Sequence, residues 1–328
     1  MLIFVNIYKA LASILITNSH FGNIYPNSVS FLAMGGALGN CMFFVCSGYL
    51  TIGGTTSESK LIPWIKKKVL RIYPSVWIVT LLYYFFNNEL VINKKGIELI
   101  VPFIFPTMFW FINAIIVMYI IGFIIQKYFM EHIKRVIIVL ILIYLVIIVC
   151  VVQFDNYNTE YNYTKCAYYG IAMIIGMIIH KNVKQIASYF EIHKVLALLM
   201  TVFGFILYGI GSIFTHKPNM LKYQPIMHIG IIICSVFLFC LLMTYEQKFK
   251  KTEMNTIFFI VSKMSASTLE IYLLNDLVVE KLNLLPFPIN FICSLLVIFV
   301  GGISLHFFVD AILKYVIKKN TCIKNNTN

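Results

Sequence analysis

The sequence predicts an all-α, polytopic membrane protein with about ten transmembrane helices and both termini in the cytoplasm. Of the 328 residues, 60% are hydrophobic and only 12% are charged, and the mean hydropathy is +0.86. Soluble domains are about 45–50% apolar and about 25% charged. This composition excludes a water-soluble globule, a disordered chain and a nucleic-acid-binding protein. The eight cysteines are too few for a disulfide scaffold.

Apolar runs of about 20 residues are long enough to cross a bilayer as helices. Ten such runs occupy residues 2–20, 31–51, 69–87, 108–127, 135–153, 164–180, 194–213, 225–245, 257–279 and 287–313. Only short charged segments separate them, and no Gly/Ser-rich or Pro-rich linker interrupts the series. We therefore expect one transmembrane domain over residues 1–318, followed by a short basic cytoplasmic tail at 319–328.

The lysines and arginines predict the orientation. With ten spans both termini share a side, and that side carries 18 of the 26 basic residues, whereas the opposite side carries six. Lys9 and Lys263 lie inside spans. The positive-inside rule assigns the richer side to the cytoplasm. The same bias explains most of the net charge of +13 without a polyanionic partner.

Ionisable residues inside spans are costly and therefore mark candidate functional sites. Lys9 and His20 lie in the first span, 11 residues apart, which is close to three helical turns and about 16 Å along the axis. Both then point from one helix face, a pattern that favours a polar pathway through the protein. The alternative is that Lys9 extends to the headgroups and His20 only ends the span at the interface.

Arg71 opens the third span after a basic cluster, and its guanidinium is suited to phosphate or carboxylate oxygens. A phosphorylated ligand could dock there from the cytoplasm; ordinary anchoring at the membrane surface is the alternative. Glu270 is the most deeply placed carboxylate, with Lys263 or Lys9 as candidate partners. The other polar groups in or near spans are Asn113, Tyr272, Asn275, Asp276 and Asp310, while His228 and His306 are interpreted as packing residues.

Five motifs in order along the chain resemble one family, the membrane acyltransferases of type three that O-acetylate bacterial polysaccharides. The matching elements are a basic residue and a histidine at Lys9 and His20, a Phe-Phe-x-x-Ser-Gly-Tyr-Leu signature at 43–50, an Arg-x-Tyr-Pro-x-x-Trp element at 71–77, a Trp-Phe element at 110–114 and a Ser-x-x-Thr-Leu-x-Ile-Tyr-Leu element at 265–273. Two departures concern Lys9, where the family commonly has arginine, and Asn275, where many relatives have histidine. Lys9 keeps the charge but loses the planar fork.

The resemblance implies transfer of an acetyl group from acetyl-CoA to a sugar hydroxyl of a bacterial cell-surface polysaccharide or its lipid-linked precursor. His20 is then the catalytic base or an acyl carrier, and Lys9 stabilises negative charge on the donor or on the oxyanion. Arg71 and Tyr73 are expected to bind the donor. The expected supporting residues are Ser47, Trp77, Trp110, Asn113, Glu270 and Tyr272.

No cofactor and no metal are expected, since acetyl-CoA enters as a substrate. The expected partners are acetyl-CoA, a glycan or lipid-linked sugar, membrane lipids and other polysaccharide-assembly proteins, in the bacterial plasma membrane. The alternative function is a transporter or export component for a cell-surface polysaccharide, because many spans with a polar stripe also suit a conduit. Dependence on acyl-CoA distinguishes the two.

Overall fold

The computed structural model describes residues 2–53, 58–87, 96–154, 157–215, 223–251 and 256–326. Side chains are described for all of these except 53, 151–154, 157–164, 215 and 316–326. Across these ranges the chain is helical and contains no strand. The all-α prediction is therefore confirmed.

Fourteen α-helices, joined by short 3-10 and π turns, form the described part of the chain. In chain order they are α1 (Ile3–His20), α2 (Gly36–Gly53), α3 (Leu61–Phe86), α4 (Ile97–Ile104), α5 (Trp110–Ile124), α6 (Ile133–Phe154), α7 (Tyr157–Lys181), α8 (Val183–Ile192), α9 (Lys194–Thr215), α10 (Gln224–Thr244), α11 (Glu246–Lys251), α12 (Thr256–Ala266), α13 (Thr268–Leu282) and α14 (Ile289–Asn326).

Each of the ten predicted spans coincides with helix in the structure, and the chain is a multi-pass membrane protein. Among the described residues, six helical runs are long and apolar enough to cross a membrane, or up to eight if each of two bent pairs is one span. One of the six, Trp110–Cys150, contains two of the predicted spans. The count of ten stays a prediction.

The cytoplasmic placement of the termini also stays a prediction. Several of the charges on which it rests lie outside the described residues: Lys94, Lys95, Lys217 and Lys222, and the side chains of Lys318, Lys319 and Lys324. The predicted tail begins within α14, whose backbone continues as helix to Asn326, while residues 327 and 328 fall outside the description.

The first helix lies at the centre of the bundle, packed against α2, α10, α12 and α13. Its Phe4, Tyr8, Ala12 and Ile16 are no more than 2% exposed. By contrast α6 and α9 leave large apolar side chains uncovered, as expected for surfaces that face lipid. Most of α1 is therefore covered by protein, although Leu11 and Ile14 are exposed.

Small residues allow the closest helix approach. A Cβ at Gly48 would come 1.9 Å from the carbonyl oxygen of Met173, and one at Gly176 would come 2.1 Å from that of Val45. These two glycines let the backbones of α2 and α7 touch, a common arrangement between membrane helices. The glycine of the 43–50 signature is thus a packing requirement.

Candidate active site

A cavity of about 490 Å³ opens at the end of the bundle that the charge distribution assigns to the cytoplasm. Its lining comes from the middle of α1, the second half of α2, the first half of α3, α5, the end of α12, the start of α13 and the middle of α14. Three basic side chains line it, Lys9, Lys68 and Arg71, together with the carboxylates of Glu270 and Asp310. Positive charges outnumber negative ones in this lining, which favours a ligand that carries negative charge.

Two of the basic side chains, Lys68 and Lys9, make defined contacts with neighbouring residues. The Nζ of Lys68 lies 5.1 Å from the ring centre of Trp64 and 5.0 Å from that of Tyr119. Both contacts are within the range of cation–π attraction. The Nζ of Lys9 donates a hydrogen bond to the backbone oxygen of Ser265 over 2.5 Å. Lys9 therefore binds inside the protein and does not extend to the headgroups.

A sharp bend brings the start of α13 to the cavity. The axes of α12 and α13 differ by 74° across a break at Ser267. Carbonyl groups in the last turn of a helix have no partner within the helix, and Lys9 satisfies that of Ser265. The Oγ of Ser265 also donates to Asn6 over 2.9 Å. These bonds attach the bend to α1, and Thr268, Leu269 and Glu270 then line the cavity.

Glu270 is the centre of a buried polar cluster. Only 3% of the residue is exposed. One carboxylate oxygen accepts a hydrogen bond from the Oγ of Ser75 over 2.7 Å, and the other lies 3.3 Å from the Nδ1 of His306. His306 also lines the cavity. Glu270 therefore faces Ser75 and His306, whereas the sequence suggested Lys263 or Lys9 as its partner.

His20 lies at the other end of the bundle, outside the lining of the cavity. Its Nδ1 is 2.6 Å from the Oδ1 of Asp276, and the two side chains are 26% and 54% exposed. A carboxylate on one ring nitrogen orients the imidazole and leaves Nε2 available to take a proton. His20 therefore does more than end the span.

Helices α3 and α13 run in the same direction between the two ends. Ser75 and Asn87 at successive levels of α3 contact Glu270 and Glu280 at successive levels of α13. On α1, Lys9 contacts Ser265 just before the bend and His20 contacts Asp276 after it. Glu270 and Asp276 are six residues apart on α13, which corresponds to about 9 Å of rise. The cavity and His20 are therefore separated by only a short stretch of protein.

Buried polar groups occupy that stretch. Within the described part of the chain, the hydroxyls of Ser13, Thr17 and Thr80 and both amide atoms of Asn275 have no hydrogen-bond partner. These four residues are no more than 2% exposed. Most buried polar groups in proteins are paired, so a cluster of unpaired ones needs an explanation.

A family model described as an acyltransferase domain, Acyl_transf_3, matches residues 2–309. The chain belongs to this family of membrane acyltransferases. The match covers the His20–Asp276 pair and all of the cavity lining except Asp310 and Leu313. Neither the curated proteins nor the solved structures compared with the chain match it.

The structure brings five of the expected site residues of this acyltransferase to the cavity: Lys9, Ser47, Arg71, Glu270 and Tyr272. Tyr73 does not line it. The Tyr73 hydroxyl donates to the backbone oxygen of Ile104 over 2.6 Å, and the indole of Trp77 donates to that of Phe103 over 2.9 Å. In the acyltransferase these two side chains attach α4 to α3, and Trp77 is 47% exposed.

Trp110 and Asn113 also lie outside the cavity lining. The ring of Trp110 stacks on Tyr169 with the centres 6.0 Å apart, and the Nζ of Lys165 lies 5.0 Å above it. Asn113 donates to the backbone oxygen of Pro106 over 3.2 Å. Both residues therefore shape the start of α5 in this acyltransferase.

Sequence reasoning missed Lys68, Tyr119 and His306 as cavity residues. For His306 the sequence offers one signal, its spacing from Asp310. The two residues are four apart on α14 and therefore share a helix face. Lys68 stood within a basic cluster whose other members, Lys66 and Lys67, are exposed. Nothing in the spacing distinguishes Lys68 from these neighbours.

Proposed function

We propose that this acyltransferase transfers an acetyl group from acetyl-CoA to a hydroxyl of a bacterial cell-surface polysaccharide or its lipid-linked precursor, in the plasma membrane. The observation that carries the proposal is a cationic cavity beside the middle of α1 and a carboxylate-bound histidine at its C-terminal end. A CoA ester has the matching shape, since its phosphates are at one end and its reactive thioester is at the other.

The donor phosphates bind in the cavity. Arg71 forms paired hydrogen bonds to phosphate oxygens, and Lys9 and Lys68 add positive charge. The first turn of α13 also lines the cavity, and its unpaired backbone N–H groups favour an anion. Lys9 and His20 are about 16 Å apart along α1. This separation favours charge on the donor, and not the oxyanion, as the group that Lys9 stabilises.

His20 acts on the acceptor. Asp276 holds Nδ1, and Nε2 takes the proton of the sugar hydroxyl as its oxygen attacks the thioester carbonyl carbon. The new C–O bond forms and the C–S bond breaks, and the CoA thiolate then takes the proton from His20. The products are an O-acetyl sugar and CoA. General base catalysis of this kind contributes about 10²–10⁴-fold.

The test uses purified protein in membranes, radiolabelled acetyl-CoA and cell-envelope glycans, with label counted in alkali-labile esters. We expect ester formation by the wild type and its loss in His20→Ala. His193→Ala is the matched control, since His193 is exposed and belongs neither to the cavity lining nor to the His20–Asp276 pair. Full ester formation by His20→Ala contradicts the role of His20. Absence of ester from folded wild type with several glycans contradicts the proposed donor and acceptor and favours the export alternative.

A further inference from the structure

Asn275 is a buried asparagine without a partner. It is 0% exposed, and neither its Nδ2 nor its Oδ1 is hydrogen-bonded to any described residue. A primary amide offers two donors and an acceptor, and leaving all of them unpaired in a protein interior is unfavourable. A leucine would fill the same place without this penalty. The residue therefore points to a ligand that completes its hydrogen bonds.

Two threonines on neighbouring helices are unpaired at the same depth. Thr80 and Asn275 each lie five residues beyond the bonded pair Ser75 and Glu270, on parallel helices. Thr17 lies between Lys9 and His20 along α1. Asn275 likewise lies between the partners of these two residues, Ser265 on α12 and Asp276 on α13. Three helices thus supply unpaired polar groups to one level of the bundle.

This level separates the cavity from His20. Glu270 and Tyr272 line the cavity, and Asp276, the next residue after Asn275, holds the imidazole. A donor that is bound in the cavity and reacts beside His20 must present its thioester here. The thioester carbonyl oxygen is a hydrogen-bond acceptor, and its negative charge grows as the acceptor hydroxyl attacks.

We propose that the Nδ2 of Asn275 donates a hydrogen bond to the carbonyl oxygen of the acyl thioester and stabilises the oxyanion; this rests on the proposed function. As the acceptor oxygen bonds to the carbonyl carbon, the C=O electron pair moves onto the oxygen that faces Asn275. The pair returns when the C–S bond breaks and the thiolate leaves. Preorganised donors of this kind act most strongly where water is excluded.

The first test observes the carbonyl directly. Purified full-length protein is mixed with acetyl-CoA that carries a carbon-13 label at the acetyl carbonyl. The stretching frequency of this carbonyl is recorded by infrared difference spectroscopy. Hydrogen bonding lowers this frequency relative to an apolar site. We expect a lowered band for the wild type and its loss in Asn275→Leu. Asn275→Ala, which removes the amide and adds no bulk, gives the same loss should the leucine variant fail to fold.

The matched control is Asn290→Leu. Asn290 is also buried, at 4% exposed, but its Oδ1 already accepts a hydrogen bond from the backbone N–H of Phe291 over 2.7 Å. We expect the lowered band to persist in this variant. In the transfer assay, Asn275→Leu is expected to lower kcat by about 10²–10³-fold. The KM for acetyl-CoA is expected to change much less than kcat, because the phosphates bind elsewhere and the hydrogen bond is stronger to the oxyanion than to the ground-state carbonyl.

The outcomes separate the two proposals. If wild type binds acetyl-CoA but Asn275→Leu keeps the lowered band, the role of Asn275 is overturned and the proposed function stands. A lower kcat with an unchanged band also overturns it, since Asn275 would then act through packing or a buried water. Failure of folded wild type to bind acetyl-CoA overturns both.

Discussion

Lys9 and His20 lie on one face of α1 and mark the two ends of the site. Lys9 donates to the backbone oxygen of Ser265 at the cavity, and His20 is held by the carboxylate of Asp276 beyond it. Because one continuous helix carries both residues, their separation is fixed by helix geometry at about 16 Å. An acyl donor must bridge this distance for both residues to act on it.

Replacing Arg71 with alanine is expected to weaken donor binding. A hydrogen bond to a charged group contributes about 1.5–3 kcal/mol, so the KM for acetyl-CoA should rise about 10–100-fold with a smaller change in kcat. Steady-state kinetics over a donor series measures both. Lys67→Ala removes the same charge from an exposed position on the same helix and is the control. Equal effects of the two variants would indicate general surface charge instead of a binding site.

Asp276→Asn is expected to slow transfer by at least about tenfold, because the amide no longer fixes the ring of His20 as the carboxylate does. Protein abundance and thermal stability should stay near wild type, since Asp276 is half-exposed. Initial rates at saturating donor and acceptor measure the effect. Glu280→Gln changes another exposed carboxylate on α13 and should keep the wild-type rate. Wild-type rates in Asp276→Asn would exclude an orienting role.

Gly48→Val is expected to destabilise the protein by about 3 kcal/mol or more. The first added carbon alone would overlap the carbonyl oxygen of Met173 at 1.9 Å, so α2 and α7 must move apart. Thermal unfolding in detergent, followed by helix signal, measures the change. Gly209→Val is the control because nothing lies within 4 Å of a Cβ at that position. A similar loss in both variants would mean that lower glycine content, and not the helix contact, is responsible.

Glu246→Ala is expected to lower the free energy of unfolding by about 2 kcal/mol. The buried carboxylate accepts hydrogen bonds from the backbone N–H groups of Ile3 and Phe4, at 3.3 and 2.9 Å, and so caps α1. Thermal unfolding again provides the measurement. Glu191→Ala breaks an exposed ion pair with Lys194 and should change stability by less than about 1 kcal/mol. If the two variants unfold alike, the capping bonds do not stabilise α1.

The sequence by itself determined the class of the molecule and the position of its long apolar helices. Composition required a membrane protein, and every predicted span coincides with helix, because hydrophobic length is a local property. The spacing of Lys9 and His20 was also local, and a continuous α1 carries both. The five motifs indicated the family that the match over residues 2–309 establishes.

Only the tertiary structure decided which polar groups meet. His306 joins Glu270 across α13 and α14, and Asp276 joins His20 across α13 and α1. Tyr73 and Trp77, two and six residues after Arg71, turn instead to the carbonyls of α4. Such contacts depend on how helices distant in sequence rotate and bend against one another, and the 74° break before α13 follows from no local pattern. The physical reason is that hydrophobic length places a helix in the membrane, whereas close packing alone determines which neighbour each of its faces touches.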